Sequence, residues 1–530
     1  MINKTSIKFS LWVSLTVYWF FTIMLLIALL RNTNGHLVYP LDDTYIHMAM
    51  AKHFVNDGIW GVAQNGFSSS TSSPLWTLLI AITYKFFGVN DWSPLILSLS
   101  FGSFIIYCCY RLLQKNTNSL RLLLLLLIIE LVIPLPVMTL IGMEHILHSL
   151  LTLLLIYFAA TYLTKAGFDF YSYTLMVALA NLTTITRYEG VLLVFSITLL
   201  LFIKKRFLEG CLFTLTGLFS VTVYGFISFV NGWHFLPNSI LLKGNTLSLT
   251  FEGISVFAGR MISNFYDSPH ITTLLIACLI SCLWLKNRIG HKEKILISLV
   301  TMMTFMHMQF ASTGWFFRYE AYIVLISSVV LADLLNTYIF TQFYEIQNTS
   351  VYDYGITIAL IFLFLMPLAA RTNLALSKYP QAVINIYEQQ YQVGLFLDKY
   401  YSGECVAAHD IGAIDYLANI CILDLYGLAN MDALRYKLSN SYNKNALNQL
   451  QTDHPVQIAI IYNSWFPGMI PDHWIEAGRW KISNNVVCGH EEVSFYAPSN
   501  SLKEDVKANL IDFSNALPTT VAQTVIYPAR

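Results

Sequence analysis

From Leu11 to Leu30 the chain runs for twenty residues without a charged side chain. A helix rises about 1.5 Å per residue, so this stretch matches the ~30 Å hydrocarbon core of a bilayer. It is longer than the apolar part of a secretory leader, and no small-residue cleavage site follows, so it reads as a retained first span. Lys4 and Lys8 precede it and assign the N-terminus to the cytoplasm. Ten further apolar stretches recur, at about 94–111, 121–138, 145–164, 170–186, 190–203, 211–230, 271–285, 295–312, 319–340 and 353–371. Composition agrees: 56 % of residues are hydrophobic and 12 % charged, the latter about half the share of a soluble domain. So little charge excludes a disordered chain, a small disulfide scaffold and a nucleic-acid binder built on a basic surface. The expected fold class is a polytopic α-helical membrane protein with about eleven transmembrane helices.

Three basic clusters orient these spans. Arg111, Lys115 and Arg121 fall together, as do Lys204, Lys205 and Arg206, and so do Lys286, Arg288, Lys292 and Lys294. With eleven spans every cluster faces the cytoplasm, in line with the positive-inside bias. Pro74–Phe87 is too short for a twelfth span and reads as an interfacial or re-entrant helix. Segments 31–93 and 231–270, and everything after about 372, are then expected outside.

The net charge of zero hides an uneven distribution. After position 375 lie 10 of the 31 basic residues but 15 of the 31 acidic ones. There Glu404–Ala408 and Ile420–Leu425 read as strands around a helix near Ile411–Ala418, with further strands at Val456–Tyr462 and Val493–Tyr496. A membrane domain over 1–372 is thus expected to carry a small α/β domain over 373–530. Cys405, Cys421 and Cys488 would lie in an oxidising compartment, where three thiols allow one disulfide and leave one free. Cys108, Cys109, Cys211, Cys278 and Cys282 sit in or beside spans and read as small buried hydrophobes.

In a chain this poor in charge, the charges close to spans carry the information. Asp42 and Asp43 follow the first span. One of them suffices to cap the helix expected over Thr44–Asn56, which leaves a second carboxylate for catalysis or cation binding. His47, one turn on, is placed either to bond Asp43 or to be satisfied elsewhere. Gly66-Phe-Ser-Ser-Ser-Thr-Ser-Ser-Pro-Leu-Trp76 is a hydroxyl-rich loop running into a helix that starts at Pro74, with Ser72 or Ser73 as its cap. Glu144 and His145 open the helix after Gly142. Arg187 and Glu189 join two short spans and either pair with each other or take an anionic ligand. Lys243 and Arg318 depart from the inside bias of basic residues. Glu130 and Asp333 read as members of intramembrane pairs.

By this topology Asp42, Asp43, Glu144, Arg187, Lys243 and Arg318 all fall at the outer interface. An unpaired charge nearer the bilayer centre costs about 2.5–3.5 kcal/mol. Six at one level favour a shared polar cavity that holds both acids and bases over scattered anchoring.

The same segments resemble the GT-C superfamily of integral-membrane glycosyltransferases, and especially bacterial polyprenyl-phosphate-sugar-dependent arabinofuranosyl- and mannosyltransferases. Asp42-Asp43-Thr-Tyr-Ile is similar to that family's Asp-Asp-Ala-Tyr-Ile, and Thr71-Ser-Ser-Pro-Leu-Trp-Thr77 to its Ser/Thr-Asn/Ser-Pro-Leu-Trp-Thr. Gly142-Met-Glu144 resembles Gly-Met/Leu-Glu-Thr, and Thr186-Arg-Tyr-Glu-Gly190 resembles Thr-Arg-Pro-Glu/Asp-Gly. Leu236-Pro-Asn-Ser-Ile-Leu-Leu-Lys243 looks like Leu-Pro-Asn-Thr-x-x-x-Lys. His409-Asp-Ile-Gly-Ala-Ile and Asp424-Leu-Tyr-Gly-Leu look like Gly-Asp-Ile-Gly-Ala-x and Asp-Leu-x-Gly-Leu. The set runs in family order from about 40 to 430. His145, Tyr188 and His409 depart from it, which bears on the sugar and acceptor rather than on the class.

The resemblance implies a bacterial inner-membrane enzyme of the hexosyl- or pentosyltransferase class, with its active site and C-terminal domain facing the periplasm. It would move a sugar with inversion from a polyprenyl-phosphate donor to an envelope glycan, lipid-linked saccharide or glycoconjugate. Asp42 or Asp43, the former nearer the span end, would take the acceptor proton, and Glu144 would assist. Arg187, Lys243 and Arg318 would hold the donor phosphate, and His47, His145, Glu189 and Asn238 would contact substrate. No cofactor is implied beyond a divalent metal, for which Asp43 and Glu144 are the candidate ligands. An oligosaccharide polymerase or block transferase shares this donor chemistry. A transporter with an outer binding domain is the rival of a different class, and an inactive scaffold a third.

Overall fold

Each of the eleven apolar stretches becomes helical in the computed structural model, which describes residues 4–63, 66–115, 117–243, 251–285, 288–339 and 351–526. Among the described residues four helices are long and apolar enough to cross a membrane: Ile7–Asn32, Ser93–Leu113, His145–Thr164 and Ala321–Tyr338. Counting each of two bent pairs as one span raises the number to six. The chain is therefore a multi-pass membrane protein, although length and apolarity alone do not confirm eleven spans. The stretch 121–138 shows why. It is divided into Ser119–Val132 and Leu135–Leu140, because Pro134 has no amide hydrogen and its ring clashes with the carbonyl four residues earlier.

Two compact units make up the chain. The first comprises Met1–Leu26, Leu95–Val223 and Gly244–Ser377 and is helical. Its axis is His145–Thr164, which is apolar on all sides and buried along most of its length, as expected of a helix surrounded by others. Phe170–Thr186, His291–Phe310 and Ala321–Leu334 pack around it. The N-terminal helix instead exposes Phe9, Trp12, Phe20 and Phe21, side chains suited to lipid. Glu130 is buried and accepts a hydrogen bond from the Ser14 hydroxyl. The expected ion pair for Glu130 is therefore not found among the described residues.

The second unit comprises Ile27–Pro94, Tyr224–Lys243 and Lys378–Arg530. It is built on six strands: β1 (Cys405–Ala408), β2 (Cys421–Asp424), β3 (Ile458–Ile461), β4 (Ile475–Lys481), β5 (Glu492–Ala497) and β6 (Ala522–Val525), in the order β2-β1-β3-β5-β4-β6. β1 runs parallel to β2 and β3, and the remaining pairs are antiparallel. The β1–helix–β2 crossover and the strands β3 and β5 match the sequence reading. β4 and β6 do not appear in it, because Ile-Glu-Ala-Gly-Arg-Trp-Lys carries no clean alternation and β6 is a four-residue edge. Cys405 and Cys421 face each other in register on β1 and β2 and form the disulfide, leaving Cys488 buried as the free thiol.

Helix Asp42–Asp57 belongs to this unit and clamps the crossover helix Gly412–Leu417 at both ends. The Asp42 carboxylate accepts the amide hydrogens of Gly412 and Ala413 at 2.9 and 2.8 Å. Lys52 Nζ donates to the carbonyls of Asp415 and Tyr416 at 3.3 and 2.8 Å. An anion at the amide end and a cation at the carbonyl end both complement a helix. The expectation that Asp42 or Asp43 caps its own helix is thus corrected. The N-cap there is Leu41, with no side-chain cap, and Asp42 caps an element some 370 residues away. By contrast Ser73 caps Pro74–Phe87, accepting from the Trp76 amide, as expected.

Gly412 has to be glycine for this clamp to close. A Cβ there would lie 2.2 Å from the Asp42 carbonyl oxygen and 2.8 Å from its carboxylate. Gly412→Ala is expected to cost about 1–3 kcal/mol, the range for overpacking, read as a lowered unfolding midpoint in detergent. A midpoint equal to wild type would mean that the clamp is not close-packed.

Candidate functional site

In the first unit the structure assembles five of the residues singled out by sequence: Glu144, His145, Arg187, Glu189 and Arg318. Gly142 takes a left-handed conformation, φ 70°, which turns the chain so that Glu144 sits at the head of His145–Thr164. Arg187 ends Phe170–Thr186, and Glu189 precedes Gly190–Ile203. Gly190 packs so tightly that a Cβ would meet the Thr183 carbonyl at 2.9 Å. The two turns meet through one guanidinium. Arg187 Nη1 donates to Glu144 Oε1 at 2.6 Å and faces His145 Nε2 at 2.8 Å, while Nη2 and Nε donate to the two Glu189 oxygens at 2.5 and 3.2 Å. A nitrogen that faces a permanent donor must accept, so His145 presents a lone pair to Arg187. Burial alone would raise the Glu189 carboxyl, but Arg187 beside it holds it below the usual range.

Arg318 is buried, and its Nη1 lies against the Met143 sulfur. The Arg187 and Arg318 guanidinium carbons stand 5.4 and 5.1 Å from the centroid of the Tyr319 ring. An electron-rich ring between two cations lessens their mutual repulsion. Two arginines, two glutamates and a histidine are thereby held in one buried cluster.

The second unit holds Asp42, Asp43, His47, Asn238 and the helix Asn238–Lys243. The Lys243 side chain lies outside the described residues. His47 Nδ1 stands 2.9 Å from the Thr77 hydroxyl and 3.1 Å from that of Thr71, so it pins the hydroxyl-rich loop to its helix. Asn238 is fully buried. Its Nδ2 donates to the carbonyls of Gly427 and Leu428 at 3.0 and 3.2 Å, and its amide donates to the Ser69 carbonyl at 2.9 Å. Those carbonyls are presented by a turn that Asp424 folds, accepting from the amides of Tyr426 and Ala429 at 2.7 and 2.6 Å.

Asp42 has a second acidic neighbour that sequence reasoning did not single out. Asp410 is held by Gln390 Nε2 at 3.0 Å and lies 2.9 Å from the Tyr462 hydroxyl. Burial, and then the Asp410 charge, push the Asp42 carboxyl up to about 7, against the pull of the two amides it accepts from. Its signal was the aspartate of the His409-Asp-Ile-Gly motif. Also missed was a buried network in the first unit. Arg371 Nε donates to Glu320 Oε1 at 3.3 Å, His270 Nε2 is 3.4 Å from the same oxygen, and the Gly314 amide donates to Oε2 at 3.0 Å. It borders a cavity of about 710 Å³. A lone arginine at the end of the last apolar stretch was the trace it left in the sequence.

Among the described residues no three His, Cys, Asp or Glu side chains are grouped to hold a metal, and the Glu144 carboxylate is engaged by Arg187.

No curated protein matches the chain by sequence. A family described as Domain of unknown function (DUF8728) matches residues 383–496. Solved structures are similar over nearly the whole length. ArnT from Cupriavidus metallidurans bound to undecaprenyl phosphate is 10 % identical, with 93 % of this chain and 98 % of that one covered at a TM-score of 0.52. ArnT in the apo state gives 0.51 at 10 % identity, with 92 % and 99 % covered. The apo oligosaccharyltransferase of Archaeoglobus fulgidus is 10 % identical and gives 0.52, with 92 % and 74 % covered. The chain has the GT-C fold. Both residue clusters therefore lie in a GT-C framework of apolar helices and a C-terminal sheet, and that framework extends well beyond the domain match.

Two outcomes follow from these charges. Arg187→Met removes the cation that Glu144 and Glu189 share and is expected to cost about 3–5 kcal/mol, the penalty for breaking a buried pair. Adding Glu144→Gln and Glu189→Gln should recover most of it in the same unfolding assay. Asp42 binds its proton more tightly when folded than when unfolded, where its value is about 3.9. Its contribution to stability is therefore largest below about 4 and declines as pH rises to about 7. Asp42→Asn should flatten the unfolding midpoint across that window, whereas an unchanged slope would assign the pH dependence to other groups.

Proposed function

We propose that the protein is an inverting glycosyltransferase that moves a sugar from a polyprenyl-phosphate donor to an envelope glycan, lipid-linked saccharide or glycoconjugate. The observation that carries this reading is the GT-C fold shared over 93 % of the chain with an ArnT whose structure holds undecaprenyl phosphate. The reading takes the eleven-span topology expected from the sequence, in which the active site and the sheet domain face the periplasm at a bacterial inner membrane.

In this reading Asp42, oriented by the Gly412 and Ala413 amides, or its neighbour Asp43 accepts the proton of the acceptor hydroxyl. The hydroxyl oxygen forms a bond to the anomeric carbon as the bond from that carbon to the phosphate oxygen breaks. A carboxyl whose value lies near 7 suits a base working at neutral pH. The departing polyprenyl phosphate gains a negative charge, which cations stabilise without a general acid. Arg187, Arg318 and Lys243 share that charge in this reading, with Arg187 also fixing Glu144, Glu189 and His145 for substrate contact. Asn238 acts by positioning the segment that bears Lys243.

Transfer of an oligosaccharide as a block is the second reading, favoured by the equal TM-score to the archaeal oligosaccharyltransferase. The two differ in the size of the product. A transporter would release no polyprenyl phosphate.

The test uses the full-length protein in bilayers with a panel of polyprenyl-phosphate sugars, scoring released polyprenyl phosphate. Wild type is expected to release it from at least one donor. Either Asp42→Asn or Asp43→Asn should lower turnover by about a hundredfold or more, the scale of one lost proton-transfer group. Unchanged turnover in both single variants would remove the pair from catalysis. Lys243→Ala should impair donor use more than acceptor use.

A further inference from the structure

We infer that a cavity in the second unit, walled by the Cys405–Cys421 disulfide and the aromatic residues Phe67 and Trp233, is a binding site for uncharged or amino-sugar units of a saccharide. The inference rests on the glycosyl-transfer reading and adds to it a place for the acceptor and a class of acceptor.

The cavity measures about 390 Å³, within the range of small-ligand sites and large enough for one or two sugar rings. It is separate from the groups described above: Asp42, Asp43, Asp410 and Asn238 do not line it. Trp233 and Phe67 meet edge to face at 6.3 Å, 69° apart, and both are half-buried. An aromatic ring presents a negative face, and the C–H bonds on one side of a pyranose or furanose are a polarised apolar surface that lies well on it. The indole N–H of Trp233 donates to no group among the described residues, so it remains for a ligand oxygen.

The polar lining sets the charge of the ligand. Asp432 opens helix Met431–Leu438, and Asp453 ends helix Lys444–Asp453 with His454 next to it. Arg435, on the same helix as Asp432 but outside the lining, pairs with it at 3.0 Å, and Gln449 donates to Asp453 at 2.9 Å. Carboxylates accept from sugar hydroxyls and attract an ammonium group, and they repel phosphate and uronate. Arg435 balances Asp432, whereas Asp453 is held by a neutral amide, so the lining keeps an acidic character that is unsuited to a donor phosphate and suited to the sugars of an acceptor. The disulfide fixes the floor, because it joins β1 and β2 where they enter the lining.

The test is a binding measurement and needs no transfer. Full-length protein in nanodiscs is titrated with neutral manno-oligosaccharides, amino-sugar chitosan oligomers and acidic oligogalacturonates, followed by calorimetry and saturation-transfer NMR. A neutral or amino-sugar series should bind, with the acidic series weaker by about tenfold or more. Trp233→Ala should weaken binding by about tenfold, the scale of losing an aromatic anchor, while Trp233→Phe retains most of it. Matching unfolding midpoints for these two variants separate a lost contact from a lost fold. Asp453→Asn should narrow the gap between neutral and acidic ligands. Binding that ignores Trp233→Ala, a preference for the acidic series, or no saturation by any of the three would overturn the assignment. Asp42→Asn should bind as wild type, so loss of transfer with binding intact speaks only to the chemistry. Binding with no transfer from any donor speaks against the catalytic reading alone.

Discussion

Arg187 carries a charge it cannot lose, and it sits among helices of a membrane unit. Its placement decides what surrounds it. A guanidinium there needs acceptors in its own plane, and it takes them from both directions: Glu144 and His145 from one turn, Glu189 from its own. The glycines of those turns follow from the same demand. Gly142 supplies the left-handed turn that puts Glu144 at a helix head, and Gly190 lets the next helix start against Thr183. Arg318 then shares the Tyr319 ring with Arg187. The charge cluster and the packing of the unit are one arrangement.

The second unit follows the same logic with backbone groups in place of charges. A short crossover helix has amides and carbonyls at its ends that helix bonds do not satisfy, and Asp42 and Lys52 supply the partners. Asn238 does likewise for the carbonyls of a turn that Asp424 folds. The motifs that look like separate signatures along the chain thus interlock in pairs. Asp-Asp-Thr-Tyr-Ile meets His-Asp-Ile-Gly-Ala, and Leu-Pro-Asn meets Asp-Leu-Tyr-Gly-Leu. Within the first unit Gly-Met-Glu meets Thr-Arg-Tyr-Glu-Gly. Gly412 and Gly427 are fixed by this, the first by the approach of Asp42 and the second by φ 91° beside Leu434.

This pairing accounts for what sequence could and could not reveal. Helices over the apolar stretches were legible because a bilayer demands long apolar runs, and the parallel strands because they are short, buried and bounded by turn residues. The polar residues of the cluster around Arg187 were legible as exceptions in an apolar background. What each polar group bonds was not legible, since a partner 43 residues away for Arg187, or some 370 away for Asp42, leaves no local pattern. That is why Asp42 read as the cap of its own helix. Glu320, Arg371 and His270 escaped for a related reason: they come from three separate segments, and only the fold makes them a network. The disulfide pairing was open among three cysteines until the register of β1 on β2 set Cys405 against Cys421.

The double role of Asp42 bears on how a base can be made in such a fold. A carboxylate that accepts two amide hydrogens is well oriented, but those bonds favour its charged form and would make it a poor base. Burial and the Asp410 carboxylate act in the opposite sense and prevail. The result is a group held in place by the backbone yet still able to take up a proton near neutrality. Asp410 can do this only because Gln390 and Tyr462 hold it in turn, from a helix and from the end of β3. In the glycosyl-transfer reading, the sheet domain is therefore part of the proton-accepting apparatus: it supplies the two amides that aim Asp42 and the charge that tunes it.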